Sequence, residues 1–419
     1  MISLFCRANI VRILYTNVFI LNTRASLCDR GRAGKREKRK DLKAALYGYG
    51  TVGRGAAEAL EKSGIEVARV LGIGTMPELG DRFTTDINDV LADDSISIAA
   101  ECIGGYEPAH SYLKASLESG KSVVSSNKQM ISRYLRELVS IAREKGLSIA
   151  FSAAAGGGIP WLPNLIRCGE ADDITGLGGV MNGTTNFILD EMQSGGRDFG
   201  DVLREAQALG FAEADPSADI DGIDVRAKIA ISADLAFDGF LDPETVPALG
   251  IRFITMEDVE NFRKLGLICR LTGRAERTES GAAAYVEPML YAAGSAEWAL
   301  PGAGNLISLE SEKYGKLSFR GPGAGRGPTG CNVALDIIDI AQGRCIFDRV
   351  NCQKDIVNGT DEVLRRYYLR GDIDGIGFSA ERRAGSGVIT EPVSVSALHS
   401  AASAIIEKGG KIFAASLAE

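Results

Sequence analysis

The sequence predicts an α/β protein with two parts: a Rossmann-type doubly wound parallel sheet, then an α+β domain with a mixed or antiparallel sheet. Three observations predict it. Up to about residue 150, short apolar runs alternate with helical stretches across short connections, the pattern of a parallel sheet covered by helices. A G-x-G-x-x-G lies between the first apolar run and its helix. After "GGGIPWLPNL" the apolar runs lengthen and alternate, as in "ITGLGGVMNG", "LGLICRLTGRAER" and "AAYVEPMLYAAG".

Taken in order, "LKAALYGYGTVGRGAAEALEKSG" reads strand, turn, helix, and "IEVARVLGIG" is a second strand. "DINDVLA" is a short helix and "SISIAAECIGG" a third strand. "EPAHSYLKASLESGK" is a helix, "SVVSSNK" a strand ending in a polar turn, and "YLRELVSIAREKG" and "LSIAFSAAA" a further helix and strand. Residues 42–150 thus form one domain and 151–318 the next. "GPGAGRGPTGCNVALDIIDIAQG" gives a Gly-rich segment and helix over 319–345, and 346–419 a small extension reading strand, strand, helix, strand. Residues 1–41 are apolar with interspersed Arg and no acid before Asp29, then basic. An organelle transit peptide and a disordered or misassigned start both fit. The second is favoured, because nothing there leads into the first strand.

Composition excludes several classes. The chain has 419 residues, with 47 Lys plus Arg against 55 Asp plus Glu and a formal charge of −8. That balance gives no reason to expect nucleic acid as a partner, and no apolar run is long enough to span a bilayer. The eight cysteines form no C-x-x-C pair, and there are only two histidines, His110 and His399. Zinc is therefore not expected, scattered thiols suit a reducing, cytoplasmic setting, and acid–base work falls to Lys, Asp, Glu or Tyr. His110 falls within a helix and reads as structural.

Four stretches carry the candidate chemistry. In "GYGTVG", Gly48 allows the tight turn, Gly50 lets backbone approach a pyrophosphate, and Gly53 lets helix and strand pack closely. The second strand ends in "LGIGTMP", without an acid or an arginine for the ribose, which leaves NAD and NADP both open. "SSNK" places Lys128 at the carboxyl edge of the sheet, where ligands bind; it is a candidate for reaching a substrate oxygen, although such a residue taken alone reads more readily as a surface lysine. "MNGTTNFI" joins a strand to a helix and suits either a small polar ligand or an ordinary N-cap. Finally, "EADPSADIDGIDVRAK" crowds Glu213, Asp215, Asp219, Asp221 and Asp224 before Lys228, at the mouth of an apolar helix. Asp224 and Lys228 share a helix face at i, i+4. A lysine inside that helix needs a partner, and Asp224 supplies it. The other acids suit a substrate ammonium, with Asp215 and Asp221 more structural.

These motifs in this order resemble homoserine dehydrogenase, from about Lys43 to Gly343. The match includes "GYGTVGRG", "AECIGGYEPA", "GKSVVSSNK", "GGGIP", "NGTTNFIL", "LGFAEADPSADIDGIDVRAK" and "GPGAGRGPT". The resemblance implies reversible, NAD- or NADP-dependent reduction of L-aspartate 4-semialdehyde to L-homoserine by a homodimer or homotetramer joined through the central domain. It implies Lys128 and Lys228 as the acid–base pair, with Asp224 tuning Lys228. Glu213 and Asp219 would hold the substrate's amino group, with Thr184 and Gly183 in the pocket. Gly48, Gly50, Thr51, Val52, Gly53, Gly104, Asn127, Lys128 and Gly323 would meet the cofactor. The family usually has a glutamate shortly before its "GGIP" turn, which helps hold a monovalent cation. Ser152 stands there in this chain, leaving the carbonyls of Ala155 and Gly157 as candidate ligands for Na⁺ or K⁺. Many members end in an ACT regulatory domain; this tail is too short for a complete one. A related amino aldehyde or alcohol as substrate is the alternative, and a non-catalytic NAD(P) sensor is a third reading.

Overall fold

The structure, a computed structural model, describes residues 42–418. The leader assigned to residues 1–41 lies outside them.

Six strands form the first sheet: β1 (Lys43–Tyr47), β2 (Glu66–Leu71), β3 (Phe83–Thr84), β4 (Ile96–Glu101), β5 (Ser122–Ser125) and β6 (Ile149–Ala150). All are parallel, in the order β3-β2-β1-β4-β5-β6. The central β1 is paired on both edges and covered on both faces, so Ala44 to Tyr47 are wholly buried. Helices α1 (Thr51–Glu61), α2 (Ala109–Glu118) and α3 (Lys128–Lys145) connect them. Strand order reverses between β1 and β4, which opens a crevice at their carboxyl ends. The apolar run "LSIAFSAAA" pairs over two residues only. Ser152 N–H is drawn off the ladder by the Asp336 carboxylate at 2.8 Å, and the chain turns there.

The second sheet begins with β7 (Ile174–Val180), β8 (Leu267–Arg277), β9 (Ala282–Ala292), β10 (Asn305–Ser311) and β11 (Gly315–Gly321). The tail extends it with β12 (Tyr367–Gly371), β13 (Ala380–Ala384), β14 (Gly387–Thr390) and β15 (Ile412–Leu417). The order is β11-β10-β7-β8-β9-β15-β12-β14-β13, and only β15 on β9 is a parallel pair. The sheet is therefore mixed.

Helix α4 (Trp161–Gly169) packs on α6 (Ile223–Ala236), α5 (Gly183–Gly195) on β8, α7 (Arg326–Ala341) on α1 and strands of the first sheet, and α8 (Val395–Glu407) on the tail strands. Helix α6 packs on β8 and β9 and also on α3 and α4. A helix covered from both sides buries most of its circumference, and Val225, Ile229, Ala230, Ile231 and Ala233 are all buried. Full burial of each Val or Ile contributes roughly 1.5–3 kcal/mol. That placement carries Asp224 and Lys228 to the carboxyl edge of the first sheet.

Candidate active site

The nucleotide turn is shaped by backbone. Gly48 has φ 91° and donates its N–H to Leu71 O at 2.8 Å. A Cβ on Gly53 would lie 2.1 Å from Gly48 O, so no larger residue lets α1 approach β1 this closely. Gly50 is the N-cap of α1 and brings no side-chain cap, and the space a Cβ there would fill is open. The N–H groups of Thr51, Val52 and Gly53 open the helix above that space. An uncapped helix N-terminus facing an open cradle fits the pyrophosphate of NAD(P).

Across the crevice, Glu101 holds the loop after β4. It accepts from Ile103 N–H at 2.6 Å, Gly104 N–H at 3.1 Å and Ser125 Oγ at 2.6 Å. Burial pushes its carboxyl upward, and these donors oppose the shift. Asn127 caps α3 by accepting Met130 N–H at 3.2 Å and donates to Gly105 O at 2.5 Å. Gly104 and Asn127 thus line the same side of the crevice. Sequence reasoning passed over Glu101, which reads as one more strand residue. Its only signal is a charge directly before "CIGG". Past β2, Ile73 is exposed, and Arg54 lies over the Tyr49 ring while donating to Glu78 at 2.9 Å.

The carboxylate of Asp224 is the centre of the second half. Its Oδ2 receives Lys228 Nζ at 2.6 Å and Asn182 Nδ2 at 2.9 Å, and its Oδ1 lies 3.1 Å from Lys128 Nζ. Lys228 also donates to Met181 O at 2.7 Å. Asn182 Nδ2 reaches Asp219 as well, at 2.6 Å, while its Oδ1 caps α5 by accepting Thr185 N–H at 2.8 Å. The N-cap reading of "MNGTTNFI" thus holds for Asn182, whose amide also joins two of the acids. Thr184 donates to Phe211 O at 2.7 Å, and Gly183 opens α5 against Ala303. Glu213 is exposed at the rim, close enough for its charge to act on Lys128. Asp215 turns onto Ser217 N–H, and Asp221 pairs with Arg252 at 2.6 Å, both away from the lysines.

These surroundings set the proton affinities in opposite directions. Burial works against the charge of Asp224, but Lys228, Lys128 and Asn182 together hold it well below the usual carboxylate range. Burial lowers Lys228, Asp224 opposes this, and the like charge of Lys128 adds to it. Lys128 moves up, chiefly through Asp224 and against its own burial. Burial raises Asp219, and Asn182 opposes it. One carboxylate thus separates a lysine that stays charged from one made more acidic.

The turn proposed for a cation is already engaged. Gly157 O accepts Asn332 Nδ2–H at 2.5 Å, and Ile159 O accepts Trp161 N–H at 2.7 Å. Asp336 accepts from both Ser152 N–H and Ser152 Oγ, at 2.8 and 2.5 Å. Among the described residues there is no group of three or more His, Cys, Asp or Glu arranged to hold a metal. With Gly157 O taken by the Asn332 amide and Asp336 taken by Ser152, the donor set around Ala155 and Gly157 does not fit a cation. Gly323 presses on this turn: a Cβ on Gly157 would fall 2.2 Å from Gly323 O. Asn332 and Asp336 were not singled out in the sequence, where they interrupt an apolar helix at i, i+4. His110 pairs with Glu137 at 2.9 Å and stacks on Tyr134, an ordinary helix-to-helix contact.

Comparison with known proteins agrees with this geometry. Residues 48–152 match the family model described as homoserine dehydrogenase, NAD binding domain, and residues 160–338 match the one described as homoserine dehydrogenase. Homoserine dehydrogenase of Pseudomonas aeruginosa is 38% identical over 316 residues, 72% of this chain and 73% of that protein. That of Synechocystis sp. is 36% identical over 369 residues, 80% of this chain and 84% of that protein. The crystal structure of a homoserine dehydrogenase from Thiobacillus denitrificans superposes with a TM-score of 0.79 at 30% identity, covering 90% of this chain and 98% of that one. A hyperthermophilic archaeal homoserine dehydrogenase in complex with NADPH gives 0.62 at 26% identity, covering 72% and 98%. With its glycine cradle, its lysine pair and these relatives, the chain belongs to the homoserine dehydrogenase family of NAD(P)-dependent oxidoreductases.

Proposed function

We propose that this chain catalyses the reversible reduction of L-aspartate 4-semialdehyde to L-homoserine, with NADH or NADPH. The observation that carries the reading is Asp224 held between Lys228 and Lys128, beside the nucleotide turn. Bound NAD(P)H supplies a hydride to the aldehyde carbon, and the carbonyl oxygen gains a proton. Lys228 Nζ commits two donors, to Asp224 and Met181 O, and keeps a third for that oxygen. Its lowered proton affinity favours donation in this direction. In the oxidising direction the neutral amine takes the proton back. Lys128, kept charged by Asp224, polarises the carbonyl and steadies the developing oxyanion. Glu213 and Asp219 receive the substrate ammonium, and Thr184 and Gly183 line the pocket.

Purified protein is expected to reduce NAD or NADP when given L-homoserine, followed by NAD(P)H absorbance. No turnover with either cofactor in either direction removes the reading. Faster turnover of another amino alcohol changes the substrate and leaves the chemistry.

Residues 42–150 are proposed as the cofactor domain, 151–318 as the substrate and dimerisation domain, 319–345 as the segment returning to the cofactor, and 346–419 as an extension. A homodimer or homotetramer joined through 151–318 is tested by light scattering. No helix among the described residues is long and apolar enough to cross a membrane, and a cytoplasmic location is proposed with it.

A further inference from the structure

The turn from Ala155 to Pro160 holds a buried amide that the proposed reaction does not use. Asn332 sits on α7, 5% exposed, one helical turn before Asp336. Its Nδ2 donates to Gly157 O at 2.5 Å and lies 3.4 Å from Ile159 O. A carboxamide N–H₂ aimed at two carbonyl oxygens supplies what an alkali cation supplies to such a turn. It turns the positive end of its dipole to the oxygens and ties two carbonyls of the turn together.

The surroundings leave the amide that task. An alkali cation can be held by carbonyl oxygens alone, but it needs several that are free. Here the nearby carboxylate, Asp336, is taken up by both Ser152 donors, and burial pushes it up to about 7, toward its neutral form. The far side of the turn is closed by the Gly-rich segment: Gly158 N–H donates to Pro322 O at 3.0 Å, and Gly157 packs directly on Gly323. Asn332 therefore acts, through the turn, on the segment proposed to return to the cofactor.

We propose that the Asn332 carboxamide is a built-in replacement for a monovalent cation, so that this enzyme positions its Gly-rich segment without Na⁺ or K⁺. Asn332 is then a positioning residue. Only the kinetic arm of the test rests on the proposed reaction.

Crystals of the full chain soaked in rubidium chloride are expected to show no anomalous peak against the Gly157 and Ala155 carbonyls. A peak bonded to them overturns the inference, whether or not the protein turns over homoserine. Turnover in potassium, sodium and tetramethylammonium chloride at matched ionic strength is expected to agree within about twofold; a saturable activation of about tenfold or more overturns it. Asn332→Ala is expected to gain both the rubidium peak and a saturable rise in Tm with K⁺ over tetramethylammonium. A folded Asn332→Ala that matches the wild type in both overturns it too. If that variant does not fold, the wild-type rubidium and kinetic results decide. Absence of any homoserine turnover counts against the proposed reaction, while the rubidium result still judges Asn332.

Discussion

The nucleotide turn from Gly48 to Gly53 is backbone from one contiguous stretch, whereas the site around Asp224 is side chains from three: Asn127–Lys128, Met181–Thr184 and Asp219–Lys228. The first depends on φ angles and close approach. The second depends on charges balanced inside a mostly buried space. Substitutions should therefore fail differently in the two regions, through affinity in the first and through turnover in the second.

The sharpest break is expected from Lys228→Ala. Loss of a positioned proton donor lowers turnover by about 10³-fold, while cofactor affinity, read by fluorescence titration, stays near the wild type. An equal loss of cofactor binding would place the damage in the fold instead. Asp224→Asn should come next, at about 10²-fold in kcat, and its pH profile is the more telling readout. If Lys228 donates the proton, the wild-type reduction rate is expected to fall as pH rises through its proton affinity, which lies below that of an ordinary lysine. Asp224 holds that affinity up, so removing its charge moves the fall to still lower pH. An unmoved profile would mean that Asp224 does not tune Lys228.

Gly53→Ala attacks the other region. The added methyl meets Gly48 O, so cofactor KM should rise by about tenfold and Tm should drop, with kcat at saturating cofactor largely kept. A change confined to kcat would erase the difference between the two regions. The smallest effect is assigned to Asp336→Asn. An unfolded carboxyl titrates near ~3.9 and Asp336 at about 7. Between those values the folded state binds the extra proton, so stability declines as pH rises across that window and stays lower above it. Asparagine does not titrate. The variant should lose part of that slope, reducing the Tm difference between mildly acidic and mildly basic buffer by a few degrees.

How much of this was legible follows from the same contrast. Local periodicity was enough for the parallel sheet and for "GYGTVG", because each strand, turn and helix there is contiguous. The burial of Lys228 was legible too, since the residues that follow it in α6 are mostly apolar or small. What could not be read was how Asp224 is shared: nothing local in "DIDGIDVRAK" says that Lys128, on another sheet's helix, closes on its second oxygen. Glu101 was hidden for a related reason. It sits in an apolar strand, and only the fold shows its carboxylate turning back to hold Ile103 and Gly104. The run "LSIAFSAAA" misled because a strand needs free N–H groups as well as apolar side chains, and Ser152 gives its own to Asp336. In the tail, "YYLRG" and "KIFAAS" were read as strands, but their pairing side by side, with the latter joined to β9, is a long-range choice.

Lys128 opens a helix of the first sheet, and Asp224 lies on a helix of the second, so their 3.1 Å contact bridges two lobes of the molecule. Coulomb attraction weakens with separation, and more steeply once water enters. If the lobes parted by a few ångströms, Asp224 would keep one lysine and lose the other. The acidity of Lys228 depends in part on the charge of Lys128. The proposed proton donor is thus tuned from two bodies at once, and would lose the Lys128 share of that tuning if the half that carries the nucleotide turn and the half that carries the acids came apart.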